Sequence, residues 1–324
     1  MSVRSNADTL ITVFGGSGFL GRHVVRALAR RRFRIRIAVR RPELAGYLQP
    51  LGSVGQIHAV QVNLRHPHSA EAAMREASIA VNLVGILSER GRQRFDAVQT
   101  EGAEHVARAA QAAGARLVHV SALGADANSP ARYAQSKARG EQAVLAASPD
   151  AVIFRPSILF GPDDDFFNRF AAMARLMPVL PLIGGGKTRF QPVYVDDVAE
   201  AIARAVEGEA RPGTIYELGG PEVRDFRELM EFILATIERK RALLSLPFPL
   251  AKLQARFLQY LPKPLLTPDQ VELLRTDNVV SEAAIAEGRT LAGLGISPTP
   301  YEAIVPSYLW RFRKSGQFRT SRFA

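Results

Sequence analysis

Short apolar runs alternate along this chain with longer stretches in which apolar residues recur every three or four positions. Residues 9–14, 34–39, 57–62, 79–84, 117–120 and 152–155 are rich in Val, Ile and Leu and read as strands. Residues 19–32, 95–113 and 133–147 carry the helical period. Strands that alternate with helices predict a parallel sheet with helices on both faces, and strands this apolar suit burial on both sides.

The pattern changes after Gly161. Prolines gather at 178, 181, 192, 212 and 221, residues 184–186 form a glycine loop, and strand-like pieces at 190–195 and 214–218 alternate with helices at 197–206 and 226–237. The expected organisation is a doubly wound α/β domain over residues 1–160. A smaller C-terminal α/β domain of substrate-binding type over 161–324 follows, with some elements returning to the first sheet. A length of 324 residues accommodates both.

Composition narrows the chemistry. There is no cysteine, so no disulfide framework, thiolate nucleophile or Cys-ligated zinc. Apolar runs such as 79–87 fall short of the roughly 20 residues a membrane helix needs. Residues 1–10 lack the apolar core of a secretory signal. The expected setting is cytoplasmic, with the option of a peripheral place on a membrane. The net charge of +11 is segregated: residues 1–41 carry net +9, residues 239–268 net +6 and residues 311–324 net +5. Such segregation suggests a face that meets something anionic, although a solvated Arg-rich surface reads the same way.

Gly15, Gly16, Ser17, Gly18, Phe19, Leu20 and Gly21 lie directly between the first strand and the first helix. They fit both G-x-x-G-x-x-G and G-x-G-x-x-G. Glycine permits a tight turn and lets the backbone approach a pyrophosphate, which the helix N-terminus attracts. In this context the loop predicts a Rossmann-type dinucleotide site. An NAD site places an acid at the end of the second strand for the ribose hydroxyls. Arg40 and Arg41 stand there instead and suit a 2′-phosphate, so NADP(H) is the expected cofactor. The competing reading has Arg40 stacked on adenine or in solvent. Tyr133 and Lys137 form Y-x-x-x-K on one face of a helix, where an ammonium lowers the phenol pKa for proton exchange with a carbonyl or alcohol.

These features together resemble an extended or atypical short-chain dehydrogenase/reductase over nearly the whole chain. The resemblance also takes in residues 81–85 of the fourth strand, Arg155, Pro156 and Ser157, and residues 194–198. More narrowly, the chain resembles the NADPH-binding accessory subunit of respiratory complex I, the alpha-subcomplex subunit nine family. The narrow evidence is 119–123 (His-Val-Ser-Ala-Leu), 191–195 (Gln-Pro-Val-Tyr-Val) and 266–272 (Leu-Thr-Pro-Asp-Gln-Val-Glu). The resemblance implies further cofactor contacts at Asn63, Leu64, Val84, Gly85, Tyr133, Lys137 and Pro156. It also implies tightly held NADPH without established turnover, and a place against the peripheral arm close to the membrane. Two departures stand out. Active extended members carry a Ser or Thr where this chain has Leu123, with Ser121 two residues early. Asn63 stands where many relatives have Asp near the adenine.

Other features are read as structural. His66 and His68 flank a proline without further ligands at metal spacing, so no metal is expected. Asp163, Asp164 and Asp165 are expected to cap the following helix, and Asp196 and Asp197 to start another. Leu250, Leu253, Phe257, Leu258 and Leu261 form an apolar stripe opposite Lys252, Arg256 and Gln259. That is the pattern of an interfacial or docking helix, and equally of a helix packed on its own domain. Two functions therefore stand side by side. One is a non-catalytic, NADPH-holding accessory or assembly subunit of complex I. The other is an NADP-dependent reductase of a hydrophobic carbonyl or quinone precursor, with an apolar cleft built from Phe160, Phe166, Phe167 and Phe170. A nucleotide-sensing regulator that binds nucleic acid lacks any DNA-binding motif, and no nucleic-acid partner is expected.

Overall fold

The computed structural model describes residues 6–261, 264 and 266–315. Lys263, part of the basic 239–268 stretch, and the basic residues beyond Ser315 lie outside the described residues. The principal elements, in chain order, are β1 (Leu10–Phe14), α1 (Phe19–Arg30), β2 (Arg34–Val39), β3 (Ile57–Gln61), α2 (Pro67–Met74), β4 (Ile79–Asn82), α3 (Glu101–Ala112), β5 (Arg116–Val120), α4 (Arg132–Ala147) and β6 (Val152–Pro156). They continue with α5 (Phe167–Leu176), β7 (Val179–Ile183), α6 (Val195–Glu207), β8 (Ile215–Leu218), α7 (Phe226–Thr236), β9 (Ala242–Leu246) and α8 (Phe248–Leu258).

The chain divides into two compact units. The first comprises Met1–Pro156, Val195–Leu218 and Val280–Ser297; the second comprises Ser157–Tyr194, Gly219–Val279 and Pro298–Ala324. In the first unit seven parallel strands run in the order β8-β6-β5-β4-β1-β2-β3. All five residues of β1 are buried, as expected of a strand covered on both faces. Leu10, Phe14, Ala80, Leu117 and Ile153 pack with alanines of α2 and α3 and with Val144 of α4. Thr12, on that same face of β1, satisfies its hydroxyl on the Ala73 carbonyl at 2.8 Å. α1 buries Leu20, Val24 and Leu28 at four-residue spacing. It is tied to α6 by Arg31, which pairs with Glu200 at 2.7 Å and Glu207 at 2.8 Å.

The second unit has its own core, in which Phe160, Phe167, Phe226, Tyr301 and Tyr308 are buried. Phe160 and Phe167 are fully enclosed core residues and Phe166 and Phe170 pack against them. The four phenylalanines expected to form a cleft therefore build this core. Asp164 accepts from the backbone N–H groups of Gly161 at 3.2 Å and Asn168 at 3.1 Å and from the Tyr308 hydroxyl, which fixes the start of α5.

Three local expectations change. The helix expected over 95–113 begins as a π-turn, Asp96–Thr100, before α3 proper. The strand expected over 190–195 is two two-residue strands, Arg189–Phe190 and Val193–Tyr194; Pro192 between them has no N–H to give a ladder. Asp196, expected only to start a helix, also pairs with Arg26 of α1 at 2.6 Å and with His23 at 2.6 Å. Among the described residues no group of His, Asp and Glu side chains could hold a metal ion.

Candidate nucleotide-binding site

Most candidate residues lie at or just past the C-terminal ends of the strands, and Tyr133 and Lys137 lie on α4, all within the first unit. Leaving β1, Gly15 adopts φ +80°, a conformation that favours glycine. Gly21 is required for a different reason: a Cβ there would lie 2.4 Å from the Gly15 carbonyl oxygen and 2.6 Å from that of Gly16. Only a bare Cα lets α1 start so close to the loop. Ser17 and Gly18 are exposed. No side chain caps this end of α1, and its first turn contains no acid. Phe19 is half-buried with Arg22 over its ring at 5.5 Å, while Leu20 turns into the core. Bare N–H groups and a positive helix end make this loop a place for an anion such as a pyrophosphate.

Arg40 and Arg41 lie exposed just past β2, and among the described residues neither makes an ion pair. Past β3, the Asn63 amide oxygen accepts from the backbone N–H and the Nε of Arg65, both at 3.3 Å. The Leu64 side chain is buried in the core and its carbonyl faces His105 Nδ1 at 2.6 Å. Past β4, the backbone N–H of Val84 donates to Asn82 Oδ1 at 3.1 Å, and the Asn82 amide in turn meets His119 Nδ1 at 3.1 Å. Burial, with the Lys137 charge second, pushes His119 down to about 3, so it stays neutral. Pro156 closes β6, buried, and its carbonyl accepts from the N–H of Leu123 at 3.0 Å.

Lys137 is the electrostatic centre. It is 6% exposed, and its ammonium donates to the Val120 carbonyl at 3.3 Å. Burial lowers its pKa to about 8, against the opposing pull of Glu141. Glu141 is itself held by Arg155 through two contacts, at 2.8 and 2.5 Å. Tyr133 is half-buried, edge-on to Phe95 at 5.9 Å, with Lys137 Nζ 6.0 Å from its ring centre. Gly85 faces the same spot: a Cβ on it would sit 3.3 Å from Lys137 Nζ and 3.7 Å from Gln99 Oε1. Two buried oxygens here, Ser121 Oγ and Gln99 Oε1, have no hydrogen-bond partner among the described residues. Orphaned polar atoms near a buried ammonium and a glycine fit the hydroxyl-rich ribose end of a dinucleotide. Leu123, the residue expected to stand in place of a hydroxyl, is 7% exposed.

Residues 11–219 match the model of the NAD dependent epimerase/dehydratase family. Over 97% of its length the chain is 36% identical to NADH dehydrogenase (ubiquinone) 1 alpha subcomplex subunit 9, mitochondrial, of Arabidopsis thaliana, and it covers 80% of that protein. The chain belongs to the complex I subunit 9 family of extended short-chain dehydrogenases/reductases. It is also 31% identical to a ceramide reductase of Caulobacter vibrioides, over 88% of this chain and 90% of that one. A similar fold occurs in the NADPH-dependent quinone oxidoreductase QOR2 of Escherichia coli, with a TM-score of 0.72, 19% identity, and 93% and 99% of the two chains covered. The family binds NAD(P), and the cradle above fits such a nucleotide.

Within this subunit 9 relative, Tyr47, Gln99 and Ser136 escape motif reading. Tyr47, on the 3-10 segment Pro42–Leu51, donates its hydroxyl to the Ser17 carbonyl at 2.8 Å and so pins the glycine loop. Gln99 and Ser136 link α4 to the π-turn before α3, with Gln99 Nε2 donating to Ser136 Oγ at 3.1 Å. The His119 and Asn82 pair fixes the turn past β4. The π-turn that carries Gln99 sits at the candidate site, as such turns often do, and the residue pattern over 95–113 read only as a continuous helix.

Proposed function

We propose that this protein is a non-catalytic accessory or assembly subunit of respiratory complex I that holds NADPH as a structural ligand. The first unit is the dinucleotide-binding module and the second the smaller, substrate-type module. The sites are those described: residues 15–21 for the pyrophosphate, Arg40 and Arg41 for a 2′-phosphate, and Lys137 and Tyr133 for the nicotinamide ribose. Asn63, Leu64, Val84, Gly85 and Pro156 line the rest. The partners are peripheral-arm subunits, and the setting is the cytoplasmic face of the inner membrane, peripheral to it. Among the described residues no helix is long and apolar enough to cross a membrane.

Leu123 carries the reading. Reducing a ketone in this fold takes a hydride from the nicotinamide, a proton from Tyr133 and a hydroxyl to polarise the carbonyl. Losing one such donor costs on the order of 10²–10³ in rate, by analogy with an oxyanion donor. A buried leucine leaves binding intact and removes that help. The denatured protein should release NADPH, and the native protein should not oxidise it with a panel of carbonyls and quinones. Leu123→Ser should bind NADPH as before and acquire slow oxidation of it. Ordinary turnover by the unmodified protein, about 1–10³ s⁻¹, would exclude the accessory role.

One observation favours a second reading. Ser121 Oγ is buried without a partner among the described residues, and the Caulobacter relative is a named reductase of a lipid. On that reading Ser121 supplies the hydroxyl, and the substrate is a hydrophobic carbonyl. Ser121→Ala would then abolish turnover of a long-chain carbonyl lipid, whereas an accessory subunit has no turnover to lose.

A further inference from the structure

The helix α8 is turned inside out. Its buried positions are the small Ala251 and Ala255, packed with Ile183 and Val271. Three large side chains of its stripe face solvent, Leu250 and Leu253 at 53% and 52% exposed and Phe257 at 72%, while Leu258 is half-buried; beyond the helix Tyr260 is 84% exposed. A helix packed on its own domain buries the opposite set. Along β9 the alternation places Leu244 on the side of Leu246, which packs into the α8 cluster, and Leu244 too is exposed. Leu244 of the preceding strand is a further exposed apolar side chain of this unit.

Charge indicates what covers this surface. From residue 239 to 261 the sequence has five basic residues and no acid. Lys252 is neutralised by Glu272 at 2.6 Å. Among the described residues Arg239, Lys240, Arg241 and Arg256 pair with no carboxylate. Arg239 and Arg241 each donate Nε to a neutral backbone carbonyl. Together with Arg227 and Lys240 they line a cavity of about 650 Å³ whose one acidic lining residue is Glu231. Exposed leucines and Phe257 on a helix of eleven residues, with Tyr260 just beyond it and Arg256 unpaired among them, in a stretch of sequence without an acid, match an element that lies in the plane of an anionic bilayer surface. The helix is about 16 Å long, too short to span and long enough to lie flat.

We infer that α8, with Leu244 and the basic 239–241 segment, is a docking surface for an anionic phospholipid bilayer. This deepens the peripheral placement proposed above without relying on the nucleotide or on complex I. The test uses the full-length purified protein and flotation with two kinds of vesicle: pure phosphatidylcholine, and phosphatidylcholine mixed with phosphatidylglycerol. The protein should float with the anionic vesicles, at least about tenfold less with the neutral ones, and less as salt rises. Leu253→Asp with Phe257→Asp should abolish flotation, and Lys240→Glu with Arg256→Glu should weaken it and flatten the salt dependence. An unchanged melting temperature and far-UV circular dichroism spectrum would show that each variant is folded. If the aspartates unfold the protein, Leu253→Ser with Phe257→Ser takes their place. Failure of the unmodified protein to float with anionic vesicles would overturn the proposal. Flotation unaffected by the α8 variants would overturn it equally. If the unmodified protein fails to float while the variants lose complex I, the surface belongs to a protein partner; the accessory-subunit reading then survives and the bilayer proposal does not.

Discussion

Lys137 shows how burial sets a single side chain's chemistry. Its pKa is depressed to about 8 from 10.5, so between these pH values the folded protein binds fewer protons than the unfolded chain. The contribution of this group to stability therefore rises with pH across that window. Its contribution to ligand binding runs the other way, since an ammonium attracts ribose hydroxyl oxygens and the neutral amine does so less. NADPH affinity, measured by calorimetry, is expected to fall as pH passes about 8 and to be flat there in Lys137→Met. Arg40 carries a second expectation at this scale. A charged hydrogen bond is worth about 1.5–3 kcal/mol, so Arg40→Glu should weaken NADPH by about tenfold or more and make NADH the tighter ligand. Equal affinities of the unmodified protein for the two nucleotides would remove the role given to Arg40.

Where elements meet, glycine decides how closely. A Cβ on Gly140 of α4 would lie 2.2 Å from the Gln99 carbonyl oxygen, so α4 and the π-turn touch backbone to backbone. Gly140→Ala should cost about 1–3 kcal/mol, read from the urea midpoint. It should also loosen NADPH, because the same turn carries Gln99 toward Lys137. Buried strands such as β1 and β4 were legible because apolar residues dominate them, with Thr12 and Asn82 the exceptions. The glycine loop was legible because its spacing is fixed by backbone geometry. Gln99, Ser136 and Tyr47 were not, since each acquires its role only when remote segments fold together. Periodicity identified the stripe on α8 but not its direction: Leu250, Leu253 and Phe257 define one face in either orientation, and only packing shows that the alanines are the buried side.

On the scale of the whole molecule, the first unit is sewn from three separate stretches of chain. α6, from the second stretch, holds α1 through Asp196, Glu200 and Glu207, and β8 pairs with β6 at the sheet edge. This order has a consequence during synthesis on the ribosome. Once β6 has emerged, its outer edge waits for β8, some 60 residues later; at about 5–20 residues per second that is roughly 3–12 s. Through this interval a strand ending Val-Ile-Phe-Arg-Pro offers unpaired N–H and C=O groups, the kind of edge that recruits other strands. A fragment ending at residue 160 holds that immature state permanently. It should collect in the insoluble fraction, while the full chain, carrying its own edge strand, stays in the supernatant. Nascent copies of this protein are thus exposed to chaperones at one definable moment, set by the order in which the gene delivers the strands.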